Sequence, residues 1–98
     1  METFQAAAAS ADWEHADHFY MILTDQPGAK SWPIENPTFI LMHKQPSDAG
    51  ASAEALKFFK WAYQNGDQMA QSLLYIPLPN AVVQKIEGSW KQIQGSGM

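Results

Sequence analysis

The sequence predicts an α+β fold of about two strands and three helices. Three observations carry this expectation. Residues 38–43, TFILMH, are an almost wholly apolar run preceded by Pro33 and Pro37, the pattern of a strand buried on both faces. Residues 18–24, HFYMILT, are rich in aromatic and aliphatic side chains and end at a turn, which predicts a second strand, with a short buried helix as the alternative. Around them lie stretches whose apolar residues recur at helical spacing. A chain of 98 residues supports one domain, 1–98, with a core hiding roughly 60–65% of the unfolded surface. A strand buried on both faces needs neighbours on each side and layers above and below. So short a chain has little left to supply them.

The elements follow in order. Residues 2–10 carry four alanines in a row, the residue of highest helix propensity, and predict the first helix. Residues 12–17, DWEHAD, read as a polar turn or short helical piece. The 18–24 strand runs into Asp25-Gln26-Pro27-Gly28, where Pro presets φ and Gly accepts a positive one. Pro33 and Pro37 bias the residues before them away from helix, so the main strand is placed at 38–44. Ser52 is the expected N-cap of a helix over 53–74, with Leu56, Phe59 and Tyr63 on one stripe and Asn65-Gly66 as a cap or kink. Ile76-Pro77-Leu78-Pro79 breaks the chain. The last helix, 79–94, places Val82, Val83, Ile86, Trp90 and Ile93 within about 100° of one another. On its polar side Glu87 and Lys91 stand at a favourable i,i+4 spacing.

Composition excludes several classes of function. The six basic residues are all lysine, set against ten acids for a net charge of −4. That argues against nucleic acid, which favours a basic, Arg-rich face, and removes the bidentate clamp used for phosphate or carboxylate. Without cysteine there is no disulfide, thiolate metal site or Cys nucleophile, and the redox compartment stays open. No stretch approaches a membrane span, and no signal peptide is visible. The chain opens directly into helix-like sequence, as if entered partway along a longer one.

Chemistry-bearing side chains are few. His15 and His18 stand three apart among Asp12, Glu14 and Asp17, so on a helix two imidazoles and a carboxylate could meet a zinc ion. The plainer account is a polar surface turn, since no third strong ligand sits at a recognisable spacing. His43, at the end of the apolar run, is a weak general-base candidate with no nucleophile in context. The glycines make no phosphate cradle. Phe58 and Trp61 fall off the apolar stripe of their helix, and Trp61 in particular reads as a contact with something outside the chain. No metal, cofactor or catalytic centre is expected.

The stretches FQAAAASADW, SWPIENPTFILMHK, EALKFFKWAYQNGDQMAQSLLYIPLP and VVQKIEGSWK, in this order, resemble the C-terminal third of the substrate-binding proteins of phosphate-specific ABC transporters. The likeness runs from about Phe4 to about Lys91. It implies a partial domain of a two-lobed α/β protein of the type II periplasmic-binding-protein fold, in which 38–44 joins a sheet whose other strands come from earlier sequence. It also implies a periplasmic parent that takes inorganic phosphate, works with an ABC permease and is not an enzyme. That family holds phosphate with a Thr-Phe pair, serines, an Asp, an Arg and a Ser-Gly-Thr loop, all in the earlier two-thirds. None maps here, and Thr38-Phe39 stands at a different place in the family order. The resemblance therefore carries over no binding residue. The alternative is a free-standing small module that has lost phosphate binding and self-associates, as a homo-oligomer, or binds a protein partner.

Overall fold

The computed structural model describes residues 1–97. Four α-helices follow one another: α1 (Glu2–Ser10), α2 (Ala49–Asn65), α3 (Asp67–Ser72) and α4 (Asn80–Ser89). Short 3₁₀ turns occupy Asp17–Phe19 and Trp90–Gln92.

Among the described residues there is no β-strand, so the α+β expectation is corrected to a helical architecture with a long irregular connection. The predicted strand at 18–24 begins inside a 3₁₀ turn in which His18 and Phe19 take left-handed φ values of 52° and 59°. That conformation costs an L-residue roughly 1–2 kcal/mol and cannot sit in a ladder. Beyond it, Leu23 is drawn into the core rather than into a sheet. The predicted strand at 38–44 keeps its apolar sequence but has no neighbour alongside. A strand holds its shape by sideways main-chain bonds, and a lone one has none to make.

The helices start and stop for local reasons. The helix expected from residue 53 begins four residues earlier. Asp48, not Ser52, is its N-cap, and the Asp48 carboxylate accepts the Ala51 N–H at 2.9 Å. Ser52 lies inside the helix with its hydroxyl buried and unbonded. The break after α2 falls at Gly66, whose N–H donates to the Ala62 carbonyl at 2.7 Å. A Cβ at that position would stand 2.5 Å from the same carbonyl oxygen, which no other residue tolerates without moving the turn. The Asn65 amide closes the end of α2 by donating to the Trp61 carbonyl. α4 gives way to a 3₁₀ turn at Trp90, so the i,i+4 geometry expected of Glu87 and Lys91 is lost. Lys85 instead pairs with Glu14 at 3.0 Å, tying α4 to the turn after α1.

Two small clusters make the core. Ala8, Ala11, Trp13, Leu23 and Val82 form the first, with Phe19, Met21, Leu78 and Ile86 packed on it. Trp13 is fixed there by its indole N–H, which donates to the Ala8 carbonyl at 2.7 Å. Leu56, Trp90 and Ile93 form the second, with Met42, Phe59, Tyr63 and Ile86. Ile86 belongs to both. The predicted stripe of α4 is therefore the seam of the molecule, with Val82 facing one cluster and Trp90 and Ile93 facing the other.

The Ile86→Ala substitution opens a gap between the clusters and is expected to cost about 2–3 kcal/mol, the lower range for a buried aliphatic truncation because Ile86 is only half-buried. Urea unfolding measures this directly. A loss below about 1 kcal/mol would mean that the clusters are joined elsewhere.

Candidate functional site

The histidines are not gathered into a centre. His15 Nδ1 lies 2.8 and 2.9 Å from the two Asp12 carboxylate oxygens, on the surface. That hydrogen bond is the main reason the Asp12 carboxyl is held below its usual range. His18 Nε2 stands 3.4 Å from Asp17 instead. Among the described residues no three His, Cys, Asp or Glu side chains converge as a metal would require. His43 is exposed and makes no hydrogen bond with the described residues.

Phe58 and Trp61 are brought together on the outer side of α2. Their rings stack at 6.3 Å, and the side chains remain 59% and 51% exposed. Phe59 meets Phe58 edge-on at 5.6 Å and turns the other way, toward the core. The two rings form an exposed aromatic ledge.

The larger feature is the connection between the first 3₁₀ turn and α2. It is pinned near residue 32, where the Trp32 N–H donates to the Thr3 carbonyl and the Trp32 ring stacks on Phe4 at 5.6 Å. The Pro33 carbonyl accepts from Asp25 N–H. It is pinned again at Lys44, whose carbonyl accepts the Gln94 N–H at 2.8 Å. Between these pins, the main chain of residues 34–43 makes no hydrogen bond with any described residue. Its side chains stay largely in water: Ile34, Phe39 and Ile40 are exposed, and Leu41 is 92% exposed. Tyr20 covers one side of Phe39, ring to ring at 6.3 Å.

A cleft opens on each side of this segment. One, of about 540 Å³, runs between α1, the α2–α3 junction and residues 74–79. The other, of about 600 Å³, is walled by Trp13, Phe19, Phe59, Trp90 and Ile93. Pro37, Thr38, Tyr63 and Leu78 line both, so the segment is a partition between two grooves. The walls are mostly carbon, with main-chain amides at the divide. Glu35 lines the first groove. One of its carboxylate oxygens, Oε2, is buried without a hydrogen-bond partner, and burial pushes the carboxyl above its ordinary value. The sequence reading passed over Glu35, because an acid between two prolines looks like solvated loop. Only the fold turns it inward.

Burial raises the folded-state pKa of Glu35 above its unfolded value, so the carboxyl favours folding while protonated and loses that benefit as pH rises through the folded pKa. Relative to wild type, Glu35→Gln is therefore expected to gain stability near neutrality and to lose that advantage below the ordinary value of 4.5. Urea unfolding of both proteins at the two pH values checks the sign. An advantage that stays constant with pH would remove Glu35 as the source.

No protein-family model matches the chain. Curated proteins do. The phosphate-binding protein PstS of Xylella fastidiosa (strain 9a5c) is 45% identical over 89 residues, which is 91% of this chain and 24% of the relative. PstS of Pasteurella multocida (strain Pm70) is 43% identical over 90 residues, 92% of this chain and 26% of the relative. PstS of Haemophilus influenzae (strain ATCC 51907 / DSM 11121 / KW20 / Rd) is 40% identical over 90 residues, 92% of this chain and 27% of the relative. The likeness to phosphate-specific binding proteins read from the sequence is borne out, and the chain spans about a quarter of the length of the curated relatives it matches.

Proposed function

We propose that this chain is the C-terminal portion of a periplasmic phosphate-binding protein serving an ABC transporter, and that it contributes scaffold rather than ligand contacts. The single observation that carries this is identity of 40–45% sustained over nine-tenths of the chain against only about a quarter of each relative. Conserved identity spread over the whole chain speaks for a shared role in the same receptor. Phosphate capture itself needs converging donors. This chain offers no arginine and six lysines scattered along its length, and its grooves are walled mainly by apolar carbon. It acts as part of a transport receptor and not as an enzyme.

Two titrations test this. The chain alone is expected to show no calorimetric heat with phosphate up to millimolar concentration. A chimaera in which it replaces the matched 89 residues of the Xylella fastidiosa relative is expected to bind phosphate. Micromolar binding by the isolated chain would overturn the scaffold role. A folded chimaera blind to phosphate would overturn the placement in the receptor.

A second reading is favoured by the Phe58–Trp61 ledge: in isolation the chain covers these rings with another copy of itself. Truncating a central aromatic of such a contact weakens association by at least about 1–2 kcal/mol, on the order of tenfold in Kd. Sedimentation equilibrium is thus expected to show an oligomer that Trp61→Ala shifts toward monomer. A strictly monomeric wild-type chain at high concentration would dismiss this reading.

A further inference from the structure

We propose that the groove between α1, the α2–α3 junction and residues 74–79 is a binding site for a small organic cation, an ammonium head on an apolar body, and that Glu35 receives the head. The inference stands apart from the chain's place in a receptor, because it rests on the groove's own walls and charge.

Three observations select this chemistry. The first is the sign of the charge. Glu35 Oε2 is buried with no hydrogen-bond partner. A buried acceptor left in that state carries its full desolvation cost, and a donor brought by an occupant removes it. Asp67 lines the groove as well, and among the described residues no lysine or histidine does. An anion therefore meets two acids and no base, and a neutral apolar molecule leaves the Glu35 oxygen unpaired. Burial also pushes the Glu35 carboxyl above its ordinary value, a shift that a neighbouring cation opposes.

The second observation concerns the body behind the charge. The groove has a volume of about 540 Å³, within the range of small-molecule sites. A bare ammonium ion would leave nearly all of its carbon wall against water. A divalent metal ion needs six or more oxygen ligands, and the groove offers one buried carboxylate oxygen. The lysine side chain of another protein carries the right head on a stem of only four carbons, which covers little of the wall. A free amine with a larger alkyl or aryl body covers more. Phe4, Tyr63 and Tyr75 line the same groove, and aromatic faces attract a cation.

The third observation is that the site is formed before anything enters it. Gln5 Nε2 donates to the Pro77 carbonyl at 3.3 Å and ties α1 to residues 74–79. The Gly66 N–H, bonded to the Ala62 carbonyl, fixes the α2–α3 junction. A formed groove spares the occupant the cost of ordering its walls.

The test titrates the 98-residue chain at neutral pH with phenylbutylammonium, following its amide NMR signals. Phenylbutanol and phenylpentanoate, which keep the body and change the head, are titrated in parallel, as are ammonium chloride and Nα-acetyl-lysine methylamide. The amine is expected to saturate with a Kd of about 1 mM or tighter, moving the signals of Glu35, Gly66 and Ala70. The alcohol is expected to bind about tenfold more weakly or worse, and Glu35→Gln to weaken the amine by a similar factor and abolish its advantage over the alcohol. The comparison of amine with alcohol on the wild-type chain decides the matter even if the variant does not fold. Equal affinity for alcohol and amine, or tighter binding of the carboxylate, would overturn the proposal. So would shifts reproduced by ammonium chloride alone, an amine preference that survives Glu35→Gln, or shifts confined to the Phe58–Trp61 ledge. Tighter binding of the lysine derivative assigns the groove to a protein side chain, and shifts that grow with protein concentration without amine assign it to a second copy. Either result overturns the proposed occupant.

Discussion

The structure hangs on one shared contact. Neither apolar cluster is large enough to hold a chain of this length by itself, and Ile86 joins them. α4 presents its stripe along that seam, and the turn at Trp90 and the residues to Ile93 continue it. Everything else is secured to the seam at single points. α1 is brought in by Ala8, Ala11 and the bonded Trp13 indole. α2 is brought in by Leu56, Phe59 and Tyr63. Such a core is economical in residues and thin in space. The Cα envelope measures 43 × 31 × 17 Å, and helices pack about 8–10 Å apart, so no third layer exists to cover what the two clusters leave out.

That thinness explains the composition. The chain is 46% hydrophobic, yet fully buried apolar residues are few, and long apolar side chains from Tyr20 to Ile76 face water. The excess is not spread evenly. Much of it falls on the 34–43 partition, on the Phe58–Trp61 ledge, and on Leu73, Leu74 and Tyr75 beyond α3. Leu74 is 93% exposed and takes a left-handed φ of 64°, so it bears both a hydrophobic cost and a backbone cost at one position. Surfaces of this kind are open to cover by another polypeptide.

What could be read from sequence divides along the range of the interactions. Helices are made of contacts three and four residues apart. The alanine run placed α1 at its observed bounds, and the α4 stripe named the seam. The off-stripe positions of Phe58 and Trp61 followed from the same geometry, because a residue opposite the buried face has only solvent to meet. Helix ends were read less well. Asp48 outcompeted Ser52 as the cap, and the Gly66 contact with Ala62 set the break. The strands failed because a strand is not a local object. TFILMH has every intrinsic feature of one, but pairing is decided by a neighbour, and no described residue fills that place. The buried oxygen of Glu35 was invisible for a related reason: nothing in IENP shows that α1 and the α2–α3 junction will close over the acid.

The unbonded segment also bears on how long the molecule survives. A protease needs several consecutive residues that it can draw into its own cleft without first breaking internal bonds, and residues 34–43 meet that condition in the folded state. Elsewhere the helical main chain is protected by the equilibrium of unfolding, but here cleavage does not have to wait for any opening.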